Sequence, residues 1–251
     1  MGRLSSLAGR VSSLASSLRA TPFMTDVLRR SLTADSRILD ADVTEVAAET
    51  IRRHGLTGRA AKLATEGIVA SVLLSAHIKG EERMLVQVQG EVPRFAFTAE
   101  VWSNGAVRAR LTPSVVGNAP IRGTLVAIKH DETKELYRGA ARIDGSFAKA
   151  LQQYLTQSQQ TRGTVEITGA TGRLEEQLPP GPELQPFVDE PLALRFQCTC
   201  SIERVEGTLR ALGSEDLRAL AEEEGQGEVT CHFCNEQYVV PGDRLLELAK
   251  G

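Results

Sequence analysis

The first 197 of the chain's 251 residues contain no cysteine. Disulfides therefore cannot staple the larger part of the fold, and no secretory h-region points to an oxidising compartment. An excess of basic charge is also missing. With 29 Lys and Arg against 32 Asp and Glu, the formal net charge is −3, and no overall basic field draws in nucleic acid. No apolar run approaches the ~20 residues of a membrane helix. The longest, Gly67 to Ala76, runs into His77 and Lys79 and reads as a buried helix. There is no Walker loop, GxSxG or dinucleotide fingerprint, and His54, His77 and His130 are scattered with no nucleophile near them in sequence. These absences argue against an enzyme, a nucleotide site and a membrane span.

What is present is concentrated near the carboxyl end. Cys198-Thr199-Cys200 is followed by thirty residues and then Cys231-His232-Phe233-Cys234. Two tight pairs at this separation read as one four-cysteine site for a single Zn²⁺. Four thiolates fill a tetrahedron, which leaves His232 facing solvent and leaves no open position for metal-assisted hydrolysis. Thiolates are also the form that oxidants attack, so such a site serves either as a structural staple or as an oxidation sensor. The CxC arm is the unusual one. A disulfide across it needs a tight local conformation, whereas the CxxC arm closes more easily.

The remaining pattern is α+β, with a mainly antiparallel sheet core and a small carboxyl-terminal helix and hairpin segment around the metal. Residues 1–23 hold three arginines, six serines and no acid, with Leu4, Leu7, Val11, Leu14 and Leu18 on one helical face. They read as an amino-terminal extension, with Met24 as an alternative start and an organelle transit peptide as the compositional alternative. The core is expected over 24–178. Strands are expected around Val27-Leu28 and Arg37 to Leu39. A helix spans Thr44 to His54 and stops at Gly55. Another, capped by Thr57, runs from Gly58 to Ile78, with a face of Ala60, Ala61, Ala64, Gly67, Ala70 and Ser71 small enough for close packing. Alternating strands follow, with Asn104-Gly105 as a hairpin turn, a helix capped by Ser146 and a strand at Thr164 to Ile167. Five of the ten prolines lie between Pro179 and Pro191, so 179–194 reads as a linker without packed structure. The segment 195–251 carries six Lys and Arg against eleven Asp and Glu. It is acidic, without an aromatic and basic stripe, and too small to fold on its own apolar surface. Helices after Ser201 and at Ser214 to about Glu224, and strands flanking the CxxC turn, complete it.

Several segments resemble the redox-regulated 33-kDa heat-shock chaperone family (33 kDa chaperonin). They are Phe196 to Ser201, Glu203-Arg204-Val205, Leu209, Leu212-Gly213, Asp216-Leu217, Glu228 to Asn235 and Tyr238. In the core they are Arg53 to Leu56, Leu74 to Glu81, Asn104-Gly105 to Arg108 and Gln152 to Thr161. The resemblance covers about 26–178 and 195–251. It implies a cytoplasmic, ATP-independent holdase that is inactive when reduced and zinc-bound. Oxidation then releases the metal, unfolds the zinc domain and exposes a surface for unfolding client proteins, with a homodimer formed on activation. It makes Cys198, Cys200, Cys231 and Cys234 the zinc ligands and redox sensors, with Cys198–Cys200 and Cys231–Cys234 as the disulfides of the oxidised form. Three features depart from the family. Its long helical linker is reduced here to about sixteen residues. Its Ser-Glu-Gln signature reads Ser158-Gln159-Gln160, and the amino-terminal extension has no counterpart. The competing reading is a zinc-ribbon module that docks a protein or RNA partner without redox chemistry.

Overall fold

The small-faced helix organises the core. A computed structural model describes residues 26–132, 134–178 and 186–250; the amphipathic pattern of 1–23 lies outside them. In chain order the elements are β1 (Val27–Leu32), β2 (Ser36–Asp42), α1 (Thr44–His54), α2 (Gly58–Leu74), β3 (Glu82–Val92), β4 (Phe95–Trp102), β5 (Ala106–Thr112), β6 (Ile121–Asp131) and β7 (Lys134–Gly145). Then come α3 (Phe147–Ser158), β8 (Gly163–Thr168), β9 (Thr171–Gln177), β10 (Phe187–Val188), β11 (Leu192–Ala193) and β12 (Arg195–Phe196). The last are α4 (Ile202–Arg210), α5 (Ser214–Glu223), β13 (Gln226–Thr230), β14 (Gln237–Pro241) and α6 (Gly242–Leu248). No described helix is long and apolar enough to cross a membrane.

The fold is α+β, and every described strand pair except β12 on β5 is antiparallel. One large sheet has the order β10-β1-β2-β9-β8, with β11 also on β1; the other large sheet has the order β12-β5-β4-β3-β6-β7, and β13-β14 form a separate two-stranded sheet. Helix α2 packs against strands of both sheets, which is why nearly every residue of its second half is buried. Its small residues permit this approach. A Cβ at Gly67 would lie 2.7 Å from the Phe97 ring, and one at Gly172 on β9 would run into Val69. Phe97 cannot yield, because it is itself buried edge-on against Phe147, with ring centroids 5.8 Å apart. Gly67→Ala is therefore expected to lower stability by about 1–2 kcal/mol, read as a fall in Tm, although alanine ordinarily favours a helix interior.

Several expected elements are present with the expected ends. Gly55 ends α1 in the left-handed region (φ 57°). Ser146 accepts the Lys149 amide as the cap of α3, and Ser201 accepts the Arg204 amide as the cap of α4. Other expectations need correction. Helix α2 ends at Leu74 rather than Ile78, followed by a 3₁₀ turn over Ser75–His77. Thr57 holds the cap position, but its side chain makes no cap bond. The start of α1 is capped from a distance: the buried Asp26 carboxylate accepts the Glu45 and Val46 amides at 2.8 and 2.6 Å.

The proline-rich stretch is not wholly without structure. Phe187–Val188 and Leu192–Ala193 pair with β1, and Arg195–Phe196 runs beside β5. The pairings are two-residue edge contacts, the first between Pro186 and Pro191 and the others just after Pro191; beside them Asp189 donates to Arg30 and Leu194 to Asp26, both at 2.9 Å. After Phe196 a second, smaller apolar cluster forms from Val205, Leu209, Leu217, Val240, Leu245, Leu248 and Ala249. Helix α6, which had no distinct signal in the sequence, contributes Leu245 and Leu248, and Ala249 follows directly after it.

Candidate metal centre

Each cysteine arm is presented by a local device. The CxC arm lies between β12, fixed on the edge of β5, and the Ser201-capped α4. The CxxC arm is the turn of the β13–β14 hairpin. There the Cys231 amide donates to Glu236 O and the Asn235 amide to Cys231 O, both at 2.8 Å. Asn235 takes φ 57°, a conformation its short polar side chain tolerates.

The two arms meet crosswise. Cys198 Sγ lies 3.7 Å from Cys231 Sγ, and Cys200 Sγ lies 3.2 Å from Cys234 Sγ. All four sulfurs fall within 4.8 Å of one another. Cys234 is buried and the other three are partly buried. Four converging soft donors, partly shielded from water, fit a tetrahedral zinc ion, and the structure brings together the four cysteines that the sequence spacing singled out. His232 is exposed, as expected.

The surroundings adjust each sulfur. Burial pushes the Cys231 thiol up, but amide donation from Cys234 and Phe233 outweighs it and brings the group down to about 7. Burial raises Cys200 and Cys234. The Tyr238 phenol donates to Cys200 Sγ at 3.0 Å, and that bond holds its own proton in place, well above the usual tyrosine range. Such outer contacts orient metal ligands and commonly matter to affinity.

The core takes part directly. Arg108 on β5, ion-paired with the buried Glu100, donates to Cys198 Sγ (3.6 Å) and Thr199 Oγ1 (3.0 Å) and lies 4.0 Å from the Phe233 ring centroid. At the end of α1, Arg53 donates to Cys234 O (3.1 Å) and sits over Phe196. The His54 ring bonds Phe233 O at 2.8 Å, and the Asn235 side chain donates to Arg53 O at 2.9 Å. Sequence spacing revealed the sulfurs but none of these partners. Arg53, His54 and Arg108 stood only within segments that carried the resemblance. His77 and His130 lie away from the cysteines, with His77 bonded to Glu176 at 3.0 Å.

The family model described as Hsp33 protein matches residues 26–175 and 173–241, the core and the cysteine segment together. The chain belongs to the Hsp33 family. Among its relatives, the 33 kDa chaperonin of Bacillus subtilis (strain 168) is 26% identical over 281 residues, covering 88% of this chain and 97% of that protein. The 33 kDa chaperonin of Syntrophotalea carbinolica is 28% identical over 286 residues, covering 90% and 99%. The solved 33 kDa chaperonin from Thermotoga maritima shares the fold, with a TM-score of 0.76 at 20% identity, covering 90% of this chain and 98% of that one. These alignments are longer than the chain's own 251 residues, and the two matched pieces of the Hsp33 model meet at 173–175, within β9.

Proposed function

We propose that this Hsp33 family member is an ATP-independent holdase switched on by oxidation of a four-cysteine zinc centre, acting on unfolding proteins in the cytoplasm. The observation that carries it is the convergence of Cys198, Cys200, Cys231 and Cys234 within 4.8 Å, on a segment whose own apolar cluster is small. The working division is a core over 24–178, a linker over 179–194 and a zinc domain over 195–251. When bound, one Zn²⁺ per chain would hold all four sulfurs as thiolates and join the two arms.

Oxidation by peroxide then proceeds one pair at a time. Two thiolates give up two electrons and form an S–S bond; the O–O bond breaks, and two protons complete two waters. Closure within each arm, Cys198–Cys200 and Cys231–Cys234, frees the arms from one another. Closure across the arms would instead staple the domain shut. Within-arm closure thus couples metal loss to unfolding, because metal binding and folding of so small a unit are the same free energy.

The family's length difference falls on the linker in this reading, since the two matched pieces meet at 173–175, just ahead of it. A short linker tied to β1 leaves the zinc domain seated directly on the core. The homodimer that accompanies activation, and the lack of any enzymatic, nucleotide, nucleic-acid or membrane role, belong to the same reading.

The test compares zinc-loaded reduced protein with peroxide- or hypochlorite-treated protein in suppressing light scattering by a thermally unfolding reporter enzyme. The expected result is protection by the oxidised form only, with within-arm disulfides found by peptide mapping. Equal protection by both forms would remove the switch, and protection by neither would remove the chaperone.

A further inference from the structure

The alternation of β5 sends Val107, Ala109 and Leu111 into the core and turns Arg108 and Arg110 toward the cysteine segment. Arg108 stands directly opposite Glu100 in the β4–β5 register. That pairing fixes one edge of its guanidinium, with Nε donating to Glu100 at 2.6 Å. The other edge is turned outward to Cys198 Sγ and Thr199 Oγ1. One face lies on Phe233, and Trp102 lies 5.3 Å from the same carbon. A planar, permanently charged group with its donors divided between two partners suits a link between separate units. Lysine could not hold both edges at once.

The geometry points to Arg108 as a core-borne latch that reads the charge on Cys198 and holds the cysteine segment against β5 only while that sulfur is a thiolate. The inference rests on the proposed cysteine centre and adds a route by which its state reaches the core without a long linker. A thiolate acceptor makes a charge-assisted bond, roughly twice as strong as a neutral one. Once Cys198 lies in a disulfide its charge is gone. Glu100 keeps the arginine, but the outward donors lose their anionic partner and the seat under Phe233 weakens. Arg53 plays the matching part for the other arm through the Cys234 carbonyl. Both arms are therefore held by cations of the core, Arg108 at Cys198 and Arg53 at Cys234.

Linkage makes the idea measurable. If core docking favours the metal-bound segment, loss of the latch must weaken metal binding by the same factor. Two changes break it from opposite sides. The double variant E100Q/R108Q removes the cation without leaving a lone buried carboxylate. T199V removes one of Arg108's two acceptors on the cysteine segment, along with the Arg204 bond to the same hydroxyl, and leaves the core intact. Zinc affinity is read by competition with a metallochromic dye, and docking by the emission of Trp102, the chain's single tryptophan.

Both variants are expected to bind zinc more weakly, E100Q/R108Q by about tenfold, the size seen when outer-shell partners of metal ligands are removed. The zinc-loaded E100Q/R108Q protein is also expected to show the Trp102 emission that the unaltered protein reaches only after chelation. Adding back charge alone, with R108K, is expected to recover part of the affinity. Unchanged zinc affinity and emission in T199V and in a folded E100Q/R108Q would overturn the latch; should the double variant fail to fold, T199V decides alone. Neither readout involves a client or an oxidant. A protein whose zinc affinity depends on Arg108 but that never protects clients would fail the chaperone reading and leave the latch standing.

Discussion

Chelating the metal from the reduced protein is expected to unfold 195–250 while the core keeps its cooperative melt. The larger apolar cluster spans both sheets and helices α1 to α3, with α2 buried between them. The smaller one has only seven buried residues, drawn from α4, α5, β14, α6 and the residue after α6. Units of this size need a staple. A structural zinc site supplies on the order of 10–16 kcal/mol apparent at neutral pH, more than the whole stability of a typical domain. Amide hydrogen exchange is the direct measure. Protection in α4 to α6 should disappear on chelation and return with zinc, and protection in α2 and β3 to β6 should persist. Protection of α4 to α6 that survives chelation would show that the segment folds without metal.

Gly105→Ala is expected to have the next largest effect, about 2–5 kcal/mol. The Asn104-Gly105 turn joins β4 to β5, and Gly105 takes φ 81°, where a side chain costs about 1–2 kcal/mol. The added Cβ would also collide with the carbonyl oxygen of Ala193, and a backbone atom cannot swing aside. Crowding of that kind adds about 1–3 kcal/mol. Ala193 belongs to the segment leading to the cysteines, and Arg195 donates to Gly105 O at 3.0 Å. The cost thus falls at the point where the cysteine segment is seated. A lowered Tm together with faster hydrogen exchange at 192–197 is the expected signature. An unchanged exchange rate there would mean that the turn is only a hairpin turn.

That double role of Gly105 marks the boundary of what could be read from the chain. Asn-Gly between alternating segments identifies a hairpin, because only a few residues accept positive φ. Nothing in it says that residues some ninety positions later will lie on it. The same holds for helix α2. Its run of alanines and glycine announced close packing, yet not that Phe97 would fill the space over Gly67. Helix α6 has seven residues, too few for a helical period to register in the sequence. The prolines of 179–194 announce a linker, and its two-residue pairings with β1 carry no periodic signal.

By itself the sequence singled out the four cysteines that converge, since two tight pairs at this spacing admit few other uses, along with the α+β pattern and the ends of several helices. These are properties of spacing and local backbone preference. Only the tertiary structure decided that Arg108, Arg53 and His54 stand around the two cysteine arms. Those contacts join residues some 90 to 180 positions apart, and separations of that kind are fixed by how the sheets and helices close, not by any local pattern in the chain.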